Sequence, residues 1–200
     1  MQIIANLITT DNYYPIEFSK HQIVIGHSFN SQMNHVNGWL LRNGRKNKSA
    51  AAFSVDRDGK VYQHYNSKYF SDFIGIDGVN QHLIPIVLVN DGWLIKEPAV
   101  GGFYNLNGNR YDGEVIERKW RNYQYWAAYS DKQFKSLVEL VMDLCKNHDI
   151  YKKCIGHNTK VDNIKDFEGI AFKSNYSKDY TDLSPAFDYD NFKLTIENNE

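Results

Sequence analysis

The chain is poor in the features that mark secreted, membrane-embedded or nucleic-acid-coating proteins. It has only 2 cysteines in 200 residues, so nothing suggests a disulfide framework, and the count fits a protein made in a reducing compartment. Cys145 falls in an apolar helical pattern and Cys154 opens a short apolar run, so both read as small buried hydrophobes. No apolar run is long enough to span a bilayer. The first residues, Met-Gln-Ile-Ile-Ala-Asn-Leu-Ile-Thr-Thr, lack the basic region and the cleavage signature of a signal peptide. The net charge is -1, which argues against a broad surface built for phosphate contacts and so against nucleic acid as a partner.

What is present is the composition of one folded domain. Hydrophobic residues make up 42% and charged residues 24%, a globular balance, and 200 residues suffice to bury a sizeable core. The marked bias is aromatic, with 14 Tyr, 11 Phe and 4 Trp. Such side chains stack on sugars and line grooves, but most are expected in core and sheet packing.

Patterning along the chain alternates strands with helices. Residues 1–20 read as an extended edge segment, and residues 22–27 as a buried strand. Met33, Val36, Trp39 and Leu40 have helical spacing within 30–43. Residues 50–65 read as a hairpin turning at Asp58-Gly59. Residues 83–90 form an apolar strand in which Pro85, lacking an N–H, calls for an edge or a bulge. Residues 94–129 are rich in Gly, Asn and Tyr and read as an insertion with short strands near 103–107 and 111–116. Ser130 and Gln133 form a capping box ahead of an amphipathic helix through Phe134, Leu137, Val141, Leu144 and Cys145. A strand at 154–157, a long loop over 158–176 and a last helix from near Asp188 complete the pattern. The order is that of an α/β protein.

Two histidines and one carboxylate stand out. His27 ends the run Ile23-Val24-Ile25-Gly26, and His157 ends Cys154-Ile155-Gly156. Asp182 sits in a loop closed by Pro185, which fixes its direction. Two histidines, one carboxylate and a position left for water make a usual catalytic zinc shell.

The segment Thr181-Asp182-Leu183-Ser184-Pro185-Ala186-Phe187-Asp188-Tyr189 resembles the K-T-D-P-G-P-x-F-D-W segment of the zinc-dependent N-acetylmuramoyl-L-alanine amidases, whose fold is shared by peptidoglycan recognition proteins and amidase-type phage lysozymes. His27 is similar to that family's first ligand in a V-V-I-x-H-T/S strand. Ala50 to Gln63 is similar to its S-A-H-Y-V-I-D-R-D-G-T-I-Y-Q hairpin, and Ile84 to Asn90 to its I-G-I-E-L-V-N strand. The resemblance implies a single amidase-like domain over 1–200, a central mixed β-sheet flanked by helices, and a groove on one face. It implies hydrolysis of the amide between the lactyl group of muramic acid and L-alanine in peptidoglycan or a muropeptide. It also implies a zinc ion held by His27, His157 and Asp182.

The resemblance leaves specific positions open. Asp182 lies 25 positions after His157, whereas the family's last His and Asp are about ten apart. Gly169-Ile170-Ala171-Phe172-Lys173 matches a G-I-x-x-H strand with Lys173 at the ligand position, and a protonated lysine cannot ligate zinc. The family's catalytic Glu is Val87 here. Its lysine two positions before the Asp is Tyr180, a candidate catalytic donor to an oxyanion. The hairpin His is Ala52, and the His after the hairpin is Phe73, leaving His64 and Asp72 as candidate bases. The alternative to an active amidase is a catalytically impaired amidase fold that binds cell-wall glycopeptide or serves as a virion component. Without an export signal, cytoplasmic synthesis followed by phage lysis or virion packaging is the expected route to the cell wall.

Overall fold

The computed structural model describes residues 2–28, 38–39, 48–76, 78–99 and 101–198. Its centre is a six-stranded mixed sheet. In chain order the strands are β1 (Ile3–Ala5), β2 (Gln22–Ser28), β3 (Phe53–Val55), β4 (Val61–Gln63) and β5 (Leu83–Val89), with β11 (Gly169–Phe172) closing it, in the spatial order β1-β4-β3-β5-β2-β11. β3, β5, β2 and β11 run parallel, and β4 turns back antiparallel to β3. β2 and β5 are buried at every position, as near-continuous apolar runs in the middle of a parallel sheet must be. Each fully buried Ile, Leu or Val there contributes roughly 1.5–3 kcal/mol. The helix expected over 30–43 lies almost entirely outside the described residues; Gly38 and Trp39 are helical.

Pro85 is not on an edge. It sits in β5, between β3 and β2, opposite Val24. The pairing with β3 begins one residue later, at Phe53↔Ile86, and the Pro85 carbonyl accepts from the Ala52 N–H at 3.0 Å. A strand residue directs its N–H and C=O to the same side, so the missing donor points past the start of β3 and no ladder bond is lost.

Residues 93–127 form a second, antiparallel sheet. It comprises β6 (Trp93–Lys96), β7 (Phe103–Tyr104), β8 (Arg110–Tyr111), β9 (Val115–Trp120) and β10 (Tyr123–Ala127), in the order β8-β7-β6-β10-β9. The long amphipathic helix α1 spans Asp131–His148. Ser130 caps it by accepting from the Gln133 N–H, but Gln133 does not reach back to complete a capping box. Its amide donates instead to the carbonyls of Val55 and Val89 at 2.9 and 3.0 Å. Those two strand-end carbonyls are buried, and satisfying them outweighs one more bond at a partly solvated helix end. Leu137, Leu140, Val141, Leu144 and Cys145 are the buried face. The last helix, α2, spans Tyr189–Asn198 and packs on α1.

The strand expected at 154–157 is a single bridge, Cys154↔Ile170. The strand that pairs with β2 is β11, inside the stretch read as a long loop. Gly169 explains why it can dock there. Its φ is 136°, and a Cβ would stand 2.4 Å from the Lys153 carbonyl oxygen, so only glycine fits. Both cysteines are free and buried, and burial first of all pushes their thiols up, to about 11 for Cys145 and about 12 for Cys154.

Candidate functional site

The parallel strands β2, β5 and β11 end on the same side of the sheet, and the loop 173–188 crosses over those ends. Ligands of open α/β sheets bind outside the carboxyl ends of the strands. His27 is the penultimate residue of β2, and Lys173 follows β11 directly in a 3-10 turn, Lys173–Asn175. The Ser174 N–H donates to the Asp182 carbonyl at 2.8 Å, which ties the two loops together. The Asp182 side chain then reaches β2, where Oδ1 accepts from the His27 N–H at 2.6 Å and lies 3.7 Å from the imidazole Nε2. His27 and Asp182 are 8% and 6% exposed, so a carboxylate and an imidazole are held almost out of water. Burial lowers the His27 pKa; the Asp182 carboxylate opposes that shift and Lys173 adds to it. Burial thus favours the neutral imidazole. Its Nδ1 lies 3.2 Å from the Tyr129 hydroxyl, a phenol whose pKa burial raises.

Lys173 completes the cluster. β11 is in register with β2 at Phe172↔Ile25, so Lys173 falls beside Gly26. A Cβ on Gly26 would meet Asp182 Oδ1, Lys173 Cδ and Phe73 Cζ, each at 3.4 Å. Glycine thus leaves the space in which the lysine stem lies across β2. The ammonium sits 4.7 Å from the centroid of Phe73 and 4.7 Å from that of Tyr180. Two aromatic faces hold this cation, and among the described residues it has no ion pair.

Cavities open on both sides of this cluster. One of about 380 Å³ is walled by Asp72, Phe73, Ile74 and Val87. The other, of about 800 Å³, is walled by Trp93, Arg121, Tyr123, Lys178 and Asp182. His27, Lys173 and Tyr180 line both, so the two form one groove with the cluster at its middle. The second sheet supplies the far wall through Trp93 and Tyr123, whose rings stack 4.4 Å apart at 14°. Arg121 beside them donates to the Ser177 and Lys178 carbonyls.

The remaining sequence candidates divide. Tyr180 is at the groove; burial, then Asp182 and Asp179, raises its pKa, so the phenol keeps its proton, and its hydroxyl donates to the Ile74 carbonyl at 3.3 Å. Asp72 is on the smaller cavity and accepts from the Tyr14 hydroxyl at 2.9 Å. His64 is not at the groove. It is buried between Ser54 Oγ, at 2.8 Å, and the Asn6 carbonyl, at 3.0 Å, and burial lowers its pKa to about 4. His157 lines neither cavity. Its Nε2 lies 3.1 Å from the Leu183 carbonyl, its ring stacks on Tyr189 at 5.1 Å, and burial first of all lowers its pKa to about 4. The Asn175 amide explains this placement: it donates to the Gly156 and Thr159 carbonyls and pins the His157 loop behind the 3-10 turn. Sequence reasoning missed Tyr129, although it directly precedes the N-cap Ser130. It also missed the groove wall at Trp93, Arg121 and Tyr123, which only the pairing of the second sheet reveals.

The donor set can be tested against a zinc ion. A zinc site requires at least three N, O or S donors. Among the described residues, no three His, Cys, Asp or Glu side chains gather to hold a metal. The side chain that β11 delivers beside Gly26 and Asp182 is Lys173, whose ammonium carries three N–H groups and no lone pair. The described residues do not fit zinc.

The mixed α/β sheet thus carries an imidazole, a carboxylate and a lysine at its strand ends, beside a groove. The chain belongs to the N-acetylmuramoyl-L-alanine amidase family, whose sequence model matches residues 17–169. The family are peptidoglycan amidases, typically zinc-dependent. No curated protein sequence matches the chain. Among solved structures it is similar to the N-acetylmuramoyl-L-alanine amidase LysC from Clostridium intestinale, at 12% identity and a TM-score of 0.58, covering 98% of this chain and 97% of that one. It is also similar to the catalytic domain of XlyA, at 15% identity and a TM-score of 0.59, covering 98% and 99%. The Staphylococcus aureus hydrolase AmiA is similar too, at 11% identity and a TM-score of 0.57, covering 98% and 82%. At these identities the likeness is one of fold.

Proposed function

We propose that this chain binds a muramyl peptide of peptidoglycan along the groove and hydrolyses the lactyl–L-alanine amide over the cluster, slowly beside an amidase with the full complement of family residues. The observation that carries this is the meeting of the two cavities at His27, Lys173 and Tyr180. A substrate with a glycan on one side of its scissile bond and a peptide on the other needs a groove that continues past the reacting groups in both directions. In the reaction a water oxygen bonds to the carbonyl carbon, the C–N bond breaks, and the departing amine takes a proton that came from the water. Asp72 is the carboxylate on the smaller cavity and is the group we assign to accept the water's proton. Tyr180, with its phenol protonated, turns its O–H from the Ile74 carbonyl to donate to the oxyanion. Val87 cannot move a proton, and a positioned general acid–base typically contributes about 10²–10⁴-fold, hence the slow rate. No helix among the described residues is long and apolar enough to cross a membrane; release to the wall at phage lysis, or carriage in a virion, belongs to the same reading.

Incubation with purified muropeptides, read by mass spectrometry, tests it. The expected products are a stem peptide with a free L-alanine amine and a glycan with a free lactyl carboxylate. Val87 and Lys173 favour a second reading, a groove that binds and does not cut. Saturable muropeptide binding with no product would establish that reading in place of the first; no binding would dismiss both.

A further inference from the structure

We propose that the site is metal-independent, and that the Lys173 ammonium is the fixed positive charge that meets the carbonyl oxygen of the bound amide. The inference rests on the functional reading only for the identity of that carbonyl; its metal arm stands apart.

Three observations carry it. The first is register. Phe172↔Ile25 delivers residue 173 to the strand ends beside Gly26, where Asp182 Oδ1 and Lys173 Cδ both lie 3.4 Å from the place of a Gly26 Cβ. The position is therefore built to receive a side chain next to Asp182, and the chain fills it with a cation. The second is how the cation is held. Phe73 and Tyr180 present their faces to the Nζ at 4.7 Å each. A ring face attracts the charge but accepts no conventional hydrogen bond, so the ammonium keeps donors for an incoming oxygen. The third is access. Lys173 lines both cavities, so any ligand lying along the groove passes its Nζ. A divalent metal placed there would meet like charge at the third donor position. The ammonium does part of what a metal does for a carbonyl, attracting its oxygen electrostatically, without claiming two further ligands.

The test uses the whole chain. After purification from zinc-supplemented medium, elemental analysis is expected to find far less than one equivalent of zinc, and calorimetric titration no heat of zinc binding. Lys173→His supplies a third nitrogen donor and is expected to take up about one zinc. With muramyl dipeptide as the probe, affinity is expected to be unchanged by a chelator. It should fall roughly tenfold or more in Lys173→Met, as loss of a hydrogen bond to a charged group does, and be largely kept in Lys173→Arg. Thermal melting of each variant controls for folding. One equivalent of zinc in the wild type, removed by His27→Ala, would overturn the proposal. So would a Lys173→Met variant that binds the dipeptide as the wild type does. A Lys173→His variant that melts like the wild type yet takes no zinc would overturn the assignment of residue 173 to the third donor position.

Discussion

The Asp182 carboxylate accepts the backbone N–H of His27 at 2.6 Å, across 155 residues of sequence, and this bond fixes the loop 173–188 over the ends of β2, β5 and β11. The contact is buried at both partners, so its loss leaves an N–H that water does not readily reach. Asp182→Ala is expected to destabilise the fold by about 1–3 kcal/mol. Asp182→Asn, which keeps an acceptor oxygen, should cost less. Urea unfolding of the two variants checks this, and equal losses would contradict it.

Stability should fall on mild acidification. Burial lowers His64 and His157 to about 4, below the ordinary histidine value of about 6.5, and shifts His27 in the same direction. The unfolded chain therefore binds more protons than the folded one between pH 6.5 and 4. Stability is fully present above about pH 6.5 and is lost as pH falls through that window, on the order of 3 kcal/mol for each of the two histidines at full extent. Denaturation midpoints at pH 7, 6 and 5 measure the slope, and His157→Phe should flatten it. A midpoint independent of pH across this range would contradict the burial of both rings.

Much of the fold was legible because its signals are local. β2, β5 and α1 announce themselves by apolar runs and helical spacing, and the hairpin by Asp58-Gly59. The mistakes came where non-local pairing decides. Ile155-Gly156-His157 makes a better short motif than Ile170-Ala171-Phe172-Lys173, yet the second is the strand, because Gly169 can pass the Lys153 carbonyl and Asn175 holds the first segment away. Gln133 fits a capping box in sequence but meets two strand-end carbonyls in space. The groove wall was the least legible part. Trp93 and Tyr123 become neighbours only when β6 pairs with β10.

Val87→Glu should create an ion pair rather than a catalyst. Val87 is opposite Gly26 on β5, and Lys173 is beside Gly26 on the other side, so a glutamate reaches toward the ammonium over the glycine. The double variant Val87→Glu with Lys173→Met is expected to be at least about 2 kcal/mol less stable than Val87→Glu alone, since it leaves a buried charge unpartnered. Equal stability of the two would show that residues 87 and 173 do not meet.

Trp93 should contribute to binding and not to the chemical step. It stacks on Tyr123 on the wall of the larger cavity, away from the cluster. Trp93→Ala is expected to raise KM roughly 3- to 10-fold, the worth of one aromatic contact of about 0.5–1.5 kcal/mol, with kcat nearly unchanged. A fall in kcat at constant KM would place Trp93 in the reaction instead.

The most direct measurement is a crystal structure with muramyl dipeptide bound, with diffraction recorded on both sides of the zinc absorption edge. The account predicts the dipeptide in the groove with its amide carbonyl oxygen within about 3 Å of the Lys173 Nζ, and no anomalous peak between His27 and Asp182. A zinc peak at that position, or a dipeptide bound away from Lys173, would contradict it.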